Sequence, residues 1–309
     1  MTLQTPLRIG TRGSKLALIQ AEEVRARLSR AHGLSEADVR IIAITTTGDR
    51  IPDRPLAEIG GKALFAKEIE EALLEGAIDL AVHSMKDMPA ALPSGLVIAA
   101  LLPREDPRDA LICQAAARIA DLPRGAAVGS SSVRRQAQLR RLRPDLNPVP
   151  IRGNVDTRLA KLDRGEVLAM LLACAGLKRL GLAHRITAPI ETEEMLPTAA
   201  QGAIGIETRE SDERLRNLLH AVNDRPTEIA VGCERAFLAA LEGSCRTPIA
   251  GHAVLDGDRV HFRGEALTPD GAFSFAVESR GDIGDAIRIG HEAGEEVKAK
   301  GGDRLTLAG

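Results

Sequence analysis

The chain of 309 residues is 44% hydrophobic and 27% charged, the balance of an ordinary globular protein, which excludes a disordered polymer. Its 41 Lys and Arg against 43 Asp and Glu leave a net charge of -2, so no global field attracts a polyanion or an acidic membrane surface, and an anion site has to be built locally. With five Phe, no Trp and no Tyr, it also lacks the aromatic platforms on which single-stranded nucleic acid stacks.

At about 150 residues per domain, this length predicts two or three domains. Leu7 to Thr11 reads as a strand, Ser14 to Arg30 as an amphipathic helix, Val39 to Thr46 as a strand, Leu64 to Leu74 as a helix and Ile78 to His83 as a strand. Such alternation predicts βαβ units around a buried parallel sheet. The segment LLPREDPRD, Leu101 to Asp109, marks a crossing into a second α/β set, with strands at Ala110 to Cys113, Ala126 to Gly129, Val149 to Ile151 and Val167 to Leu172. The glycine-punctuated strand in EMLPTAAQGAIGIE, Glu194 to Glu207, is expected to return the chain to the first domain. A helix over Glu228 to Leu241 then leads to strands at Ile249 to Leu255, Arg259 to Leu267 and Phe273 to Ser279. Asp-Gly turns join these strands, an antiparallel signal, and a terminal helix completes an α+β unit. The predicted division is 1–102 with 203–222, then 103–202, then 223–309.

Thr47 to Lys62, TGDRIPDRPLAEIGGK, is long for a connection in a compact α/β domain and reads either as a lid or as a mobile loop. Cys113, Cys174, Cys233 and Cys245 lie far apart without a CxxC pair, so neither a disulfide framework nor a structural zinc site is expected. No apolar run at the start resembles a signal peptide and no uncharged stretch reaches membrane-spanning length; a reducing cytoplasm is the expected compartment.

The arginines carry the most information. A cation in the first turn of a helix is disfavoured by about 0.3–1 kcal/mol when exposed, because unpaired N–H groups already make that end positive. Here it recurs three times: Arg12 and Lys15 flank Ser14, which reads as an N-cap, Arg134 and Arg135 follow Ser130, Ser131 and Ser132, and Arg152 and Arg158 straddle Asn154, a second N-cap by the same reading. Each is a strand, a polar turn and a helix, and in an open sheet such turns share the carboxyl edge where ligands bind. Free N–H groups and guanidinium forks aimed at one region suit several carboxylates or phosphates. Arg140, Arg141 and Arg143, at the far end of their helix, read as solvated charge. In DLAVHSMKDMP, Asp79 to Pro89, Lys86 and Asp87 follow a strand end; the pair is either a surface pair or the site's own lysine and carboxylate. His83 reads as a structural or hydrogen-bonding histidine.

Together RIGTRGSKLAL (Arg8 to Leu18), HSMKDMP (His83 to Pro89), GSSSVRRQAQL (Gly129 to Leu139), IRGNVDTRLAKLD (Ile151 to Asp163), PTAAQGAIGIE (Pro197 to Glu207), CERAFL (Cys233 to Leu238) and EGSCRTPI (Glu242 to Ile249) resemble, in order, the blocks of the porphobilinogen deaminase (hydroxymethylbilane synthase) family over nearly the whole chain. The resemblance implies two doubly wound α/β domains like type-2 periplasmic binding proteins with the site in their cleft, and a small α+β C-terminal domain. It implies a transferase that condenses four porphobilinogen molecules head to tail, with release of four ammonia, on a dipyrromethane cofactor held through a thioether to Cys245. By the same resemblance Asp87 is the catalytic carboxylate, facing the positive charge that develops when ammonia leaves. Arg12, Ser14, Lys86, Ser130, Ser132, Arg134, Arg135, Arg152 and Arg158 are the cofactor and substrate contacts, Gln201 lies in the hinge block, the Thr47 to Lys62 loop covers the cleft, and Asp49 is a further contact. A monomer without nucleic-acid, membrane or metal partners is implied.

Three departures stand out. Ala200 and Ala63 replace glycines common in the family, and Ser244 and Arg246 flank the attachment cysteine where other residues are usual. Arg246 either adds a carboxylate contact or points to solvent. The rival reading is a non-catalytic anion-binding or ligand-sensing module with a similar two-domain cleft.

Overall fold

The computed structural model describes residues 5–50, 66–242 and 247–306. The chain begins with β1 (Leu7–Arg12), α1 (Lys15–His32), β2 (Val39–Ile44), α2 (Thr47–Arg50), α3 (Lys67–Leu74), β3 (Leu80–Ser84) and β4 (Leu96–Leu101). There follow β5 (Asp109–Cys113), β6 (Ala127–Gly129), α4 (Val133–Leu142), β7 (Asn147–Val149), α5 (Val155–Asp163), β8 (Ala169–Ala173), α6 (Cys174–Arg179) and β9 (Ala188–Ile190). The remainder comprises β10 (Ile204–Arg209), α7 (Glu213–His220), α8 (Arg225–Ala240), β11 (Ile249–Asp256), β12 (Arg259–Leu267), β13 (Ser274–Asp282), α9 (Ala286–Gly301) and α10 (Asp303–Thr306). The described residues fall into two compact units, one within Met1–Pro52, Gly61–Glu105 and Ala203–Glu228, the other within Asp106–Gly202 and Ile229–Gly309.

In the first unit the sheet order is β2-β1-β3-β10-β4. β1, β2 and β3 run parallel, as their helical crossovers require, but β10 inserts antiparallel between β3 and β4. The expectation of a purely parallel sheet is therefore corrected, and β4, which the sequence reading passed over, is the strand that β10 joins. Period-2 alternation divides the side chains between two faces. Ile9, Leu80, Val82 and Ile206 pack with Val24 and Leu28 of α1 and Leu215 and Leu219 of α7, whereas Ala81 turns to Ile69 and Leu73 of α3. A fully buried Leu or Ile of this kind contributes about 1.5–3 kcal/mol.

The second unit repeats this plan in a sheet of order β7-β6-β8-β5-β9. β6 is parallel to β7 and β8, and β5 is antiparallel to β8 and β9. Leu111, Val128 and Leu171 face Leu139 of α4; Ala110, Ile112 and Met170 face Leu159 of α5 and Leu177 of α6. The strand expected at Val149 to Ile151 lies earlier, at Asn147–Val149, because Ile151 already belongs to the turn before α5.

This unit also holds the antiparallel β11-β12-β13 sheet. Its core centres on Phe237 and Phe262, both fully buried, with ring centroids 5.0 Å apart and planes tilted by 57°. A Cβ at Gly264 would lie 2.6 Å from the Phe237 ring, so this strand position admits only glycine beside the aromatic pair. No helix among the described residues is long and apolar enough to cross a membrane.

Candidate functional site

In the first unit β1 ends at Arg12, and Ser14, in extended backbone, accepts a hydrogen bond from the N–H of Ala17 at 3.3 Å, capping α1 as expected. Arg12 and Ser14 share a concave pocket with Gln20, His83, Ser84 and Asp87, floored by Ala17, Val82 and Met88. The pocket thus opens at the carboxyl ends of β1 and β3. Gln20 sits in the apolar stripe Ala21, Val24 and Leu28 of α1 and lies 2.9 Å from the Ser84 hydroxyl. A buried polar residue inside an apolar stripe was the available signal for it.

Asp87 is exposed at the end of a 3-10 turn, Met85–Asp87. Met85 fixes that turn: its N–H donates to the Ala203 carbonyl at 3.0 Å and its buried thioether lies against Gly205 of β10, where a Cβ would be 2.0 Å from Sδ. The glycine in GAIGIE thereby seats the turn that carries Asp87. Lys86, half-buried, shares the turn.

In the second unit the Ser130, Ser131, Ser132 turn follows β6, and Ser132 caps α4 by accepting from the Arg135 N–H at 3.4 Å. The Ser131 hydroxyl donates to the Ile151 carbonyl, joining this turn to the next one. There Asn154 caps α5, accepting from Thr157 N–H at 2.8 Å. Arg152 and Arg158 are half-buried beside it; Arg158 Nε donates to the Gly153 carbonyl at 2.8 Å, and Arg152 leaves its Nη2 buried without a hydrogen-bond partner among the described residues. The caps expected at Ser14 and Asn154 are thus in place, and Ser132 adds a third.

Arg134 and Arg135, expected among the carboxylate contacts, already have a partner in the chain. Both are buried, and both are held by Asp109 at the start of β5. Arg134 Nη1 and Arg135 Nη2 each lie 2.7 Å from its carboxylate, and Gln201 donates to it at 2.9 Å while accepting from Arg135 at 3.2 Å. Burial alone would raise the Asp109 carboxyl, but the two guanidiniums hold it well below the usual carboxylate range. Two cations on one anion leave a formal positive charge in excess at the α4 N-terminus. Asp109 was missed in the sequence; its signal is a lone charge opening an otherwise apolar strand. Arg140, Arg141 and Arg143, expected in solvent, bond the Pro269 carbonyl, Glu265 and Asp145 respectively.

His83 is hydrogen-bonded, as expected, with Nε2 2.9 Å from Glu207 on β10. Cys113, Cys174 and Cys233 are buried thiols, and burial pushes Cys174 and Cys233 up to about 12. Cys245, Ser244, Arg246, Ala63 and most of the Thr47 to Lys62 segment lie outside the described residues; its first four residues form α2, and the Asp49 side chain is likewise outside. Among the described residues no cluster of His, Cys, Asp and Glu is arranged to hold a metal.

Two family models match this chain: the porphobilinogen deaminase dipyromethane cofactor binding domain over residues 7–217, and the porphobilinogen deaminase C-terminal domain over 229–299. A porphobilinogen deaminase of Paracoccus denitrificans is 56% identical over 297 residues, 96% of this chain and 95% of the relative. Solved structures similar at low identity include the BvgS VFT2 domain of Bordetella pertussis (17% identity, 71% of this chain, 85% of that one, TM-score 0.43) and a periplasmic substrate-binding protein of an ABC transporter from Coxiella burnetii (16%, 72% and 94%, TM-score 0.42). On the two family models and the full-length relative, the chain belongs to the porphobilinogen deaminase family.

Proposed function

We propose that this chain acts as a hydroxymethylbilane synthase, a transferase that joins four porphobilinogen molecules head to tail on a dipyrromethane primer, with Asp87 as its catalytic carboxylate. The observation that carries the assignment of roles is the pocket that sets exposed Asp87 beside Arg12 and Ser14 at the carboxyl edge of the first sheet. Each pyrrole brings an acetate and a propionate, so the ligand needs cations whose donors are not all satisfied internally. The residues present fit that need: Arg152 keeps a buried donor without an acceptor, and the Arg134–Arg135–Asp109 cluster carries one excess positive charge under a helix N-terminus. Arg12, Ser14 and Lys86 in the first unit, and Ser130, Ser132, Arg134, Arg135, Arg152 and Arg158 in the second, hold the ligand carboxylates. Bound through a thioether to Cys245, the primer supplies the terminal pyrrole carbon to which new units are joined.

Asp87 acts on the incoming substrate. Departure of ammonia from its aminomethyl carbon leaves positive charge on the pyrrole, and an anionic carboxylate held by a rigid turn stabilises that charge without having to reorganise. The same carboxylate manages the proton of the departing amine. Divided at 1–102 with 203–222, 103–202 and 223–309, the chain works as a cytoplasmic monomer on a small-molecule substrate.

Intact mass spectrometry tests the primer. The wild-type protein should exceed its sequence mass by two linked pyrrole units, and Cys245→Ala should return to the bare polypeptide; an unmodified, fully active wild type would refute the assignment. Asp87→Asn holoenzyme should bind porphobilinogen yet lose about a hundredfold or more in kcat. A non-catalytic binding module would show neither the added mass nor turnover in any form.

A further inference from the structure

Arg134 is fixed by more than Asp109. One turn along α4, Gln138 is also buried, and its side-chain oxygen accepts from Arg134 Nη1 at 3.1 Å. Its amide nitrogen donates to the Leu196 carbonyl at 3.2 Å and to Glu265 Oε2 at 3.0 Å. A guanidinium on one side, and a carbonyl with a carboxylate on the other, admit only this orientation of the amide. The Leu196 carbonyl also takes Arg134 Nη1, at 2.8 Å. The guanidinium is therefore held from three sides, by Asp109, Leu196 and Gln138.

Glu265 brings in the C-terminal sheet. It stands on β12 in register with Ala250 of β11, the strand that begins four residues after Cys245 in the sequence. Its Oε1 accepts from Ser274 of β13 and from Arg141 of α4, each at 2.5 Å. The turn between β12 and β13 is seated on the same helix: Arg140 donates to the Pro269 carbonyl at 2.8 Å, and a Cβ at Gly271 would lie 2.5 Å from the Ala137 carbonyl. These contacts dock the sheet on the helix surface. Gln138 adds what they lack, a hydrogen-bonded connection from the sheet to a guanidinium of the buried cation cluster. An apolar residue of similar volume would serve docking; the amide gives a directional hold on a planar fork, whose use depends on its orientation. We propose that Gln138 is a positioning residue for ligand carboxylates: it holds the Arg134 fork and, through Glu265, ties that fork to the sheet that follows the primer cysteine. This rests on the function proposed above, in which Arg134 meets those carboxylates.

Variants purified alongside wild type are compared by intact mass, by steady-state kinetics with porphobilinogen and by urea unfolding. Gln138→Leu should cut the fraction of protein carrying the two-ring mass to about half or less. In the loaded fraction KM should rise about tenfold, the worth of one hydrogen bond to a charged group, with kcat changed less than about threefold. Gln138→Glu sets a carboxylate against Glu265 and should do the same; adding Glu265→Gln restores a donor opposite it and should bring KM back to within about threefold of wild type. Arg140→Ala cuts a docking contact without touching Arg134, so KM and primer loading should stay at wild-type values. If the Gln138 variants do not fold, Glu265→Gln alone decides, with KM expected to rise about threefold or more. A lowered urea midpoint in Gln138→Leu with wild-type KM and loading would make Gln138 a docking contact only and overturn the proposal, as would an equal rise of KM in Arg140→Ala. Wild type without added mass or turnover would refute the functional reading and this one with it, whereas loaded, active wild type beside unaffected variants would refute this one alone.

Discussion

Asp109→Asn is the sharpest probe of how the second unit presents its cations. Five donor contacts within 3.2 Å converge on this carboxylate: Nη1 and Nη2 of Arg134, Nε and Nη2 of Arg135, and Nε2 of Gln201. All three partners are at most 5% exposed, so water cannot replace what the substitution removes. Stranding two buried guanidiniums should cost about 3–5 kcal/mol, two to three orders of magnitude or more in the folding constant. Urea unfolding followed by circular dichroism reads this as a fall in midpoint at unchanged slope. Because the folded carboxyl lies below its unfolded value of 3.8, its contribution is fully present above that value and is lost as pH falls through the folded one. The difference between wild type and variant should therefore be undiminished at mildly acidic pH and narrow only below the ordinary carboxylate range. Replacing the trio together, Asp109→Leu with Arg134→Met and Arg135→Met, should recover most of the loss, since no charge is then stranded. Cutting the exposed pair of Arg118 with Asp121 should leave the midpoint in place. A loss below about 1 kcal/mol for Asp109→Asn would refute the reasoning.

Three further outcomes are expected. Ala200 has φ +60° and is locked there by its N–H donating to Glu234 at 2.6 Å, so Ala200→Gly should stabilise the protein by about 0.5–1 kcal/mol in urea titrations, and no gain would argue against a left-handed backbone at this position. Gly205→Ala drives a methyl into Met85 Sδ beneath the Asp87 turn, so stability should drop by about 1–3 kcal/mol and turnover with it; wild-type kinetics would show that Met85 does not seat the turn. Cys113, Cys174 and Cys233 should resist a thiol reagent at neutral pH until the protein unfolds, and rapid native labelling, mapped by peptide mass spectrometry, would contradict their burial.

Local chemistry made much of this legible. The helix α1, its Ser14 cap and the cap at Asn154 follow from a polar residue placed just before an amphipathic run, and the structure has both, with a third cap at Ser132. The β11 to β13 meander followed from Asp-Gly turns between alternating strands. What failed were features set by partners distant in the chain. β10 reads as an apolar strand of either direction, and only its place between β3 and β4 makes it antiparallel. The partner of Arg134 and Arg135 was not legible because Asp109, 25 residues earlier for Arg134, gives no local sign of pointing at them.

By itself, then, the sequence determined which turns carry cations and which carry hydroxyl caps, because helix starts and strand ends are short-range affairs of φ, ψ and neighbouring N–H groups. Tertiary structure alone decided which of those cations are held by a buried carboxylate, which glycine seats Met85 beneath Asp87, and that Glu207 meets His83. A charge's environment is fixed by whatever packs within a few ångströms, and in a sheet those neighbours come from strands far apart in the chain.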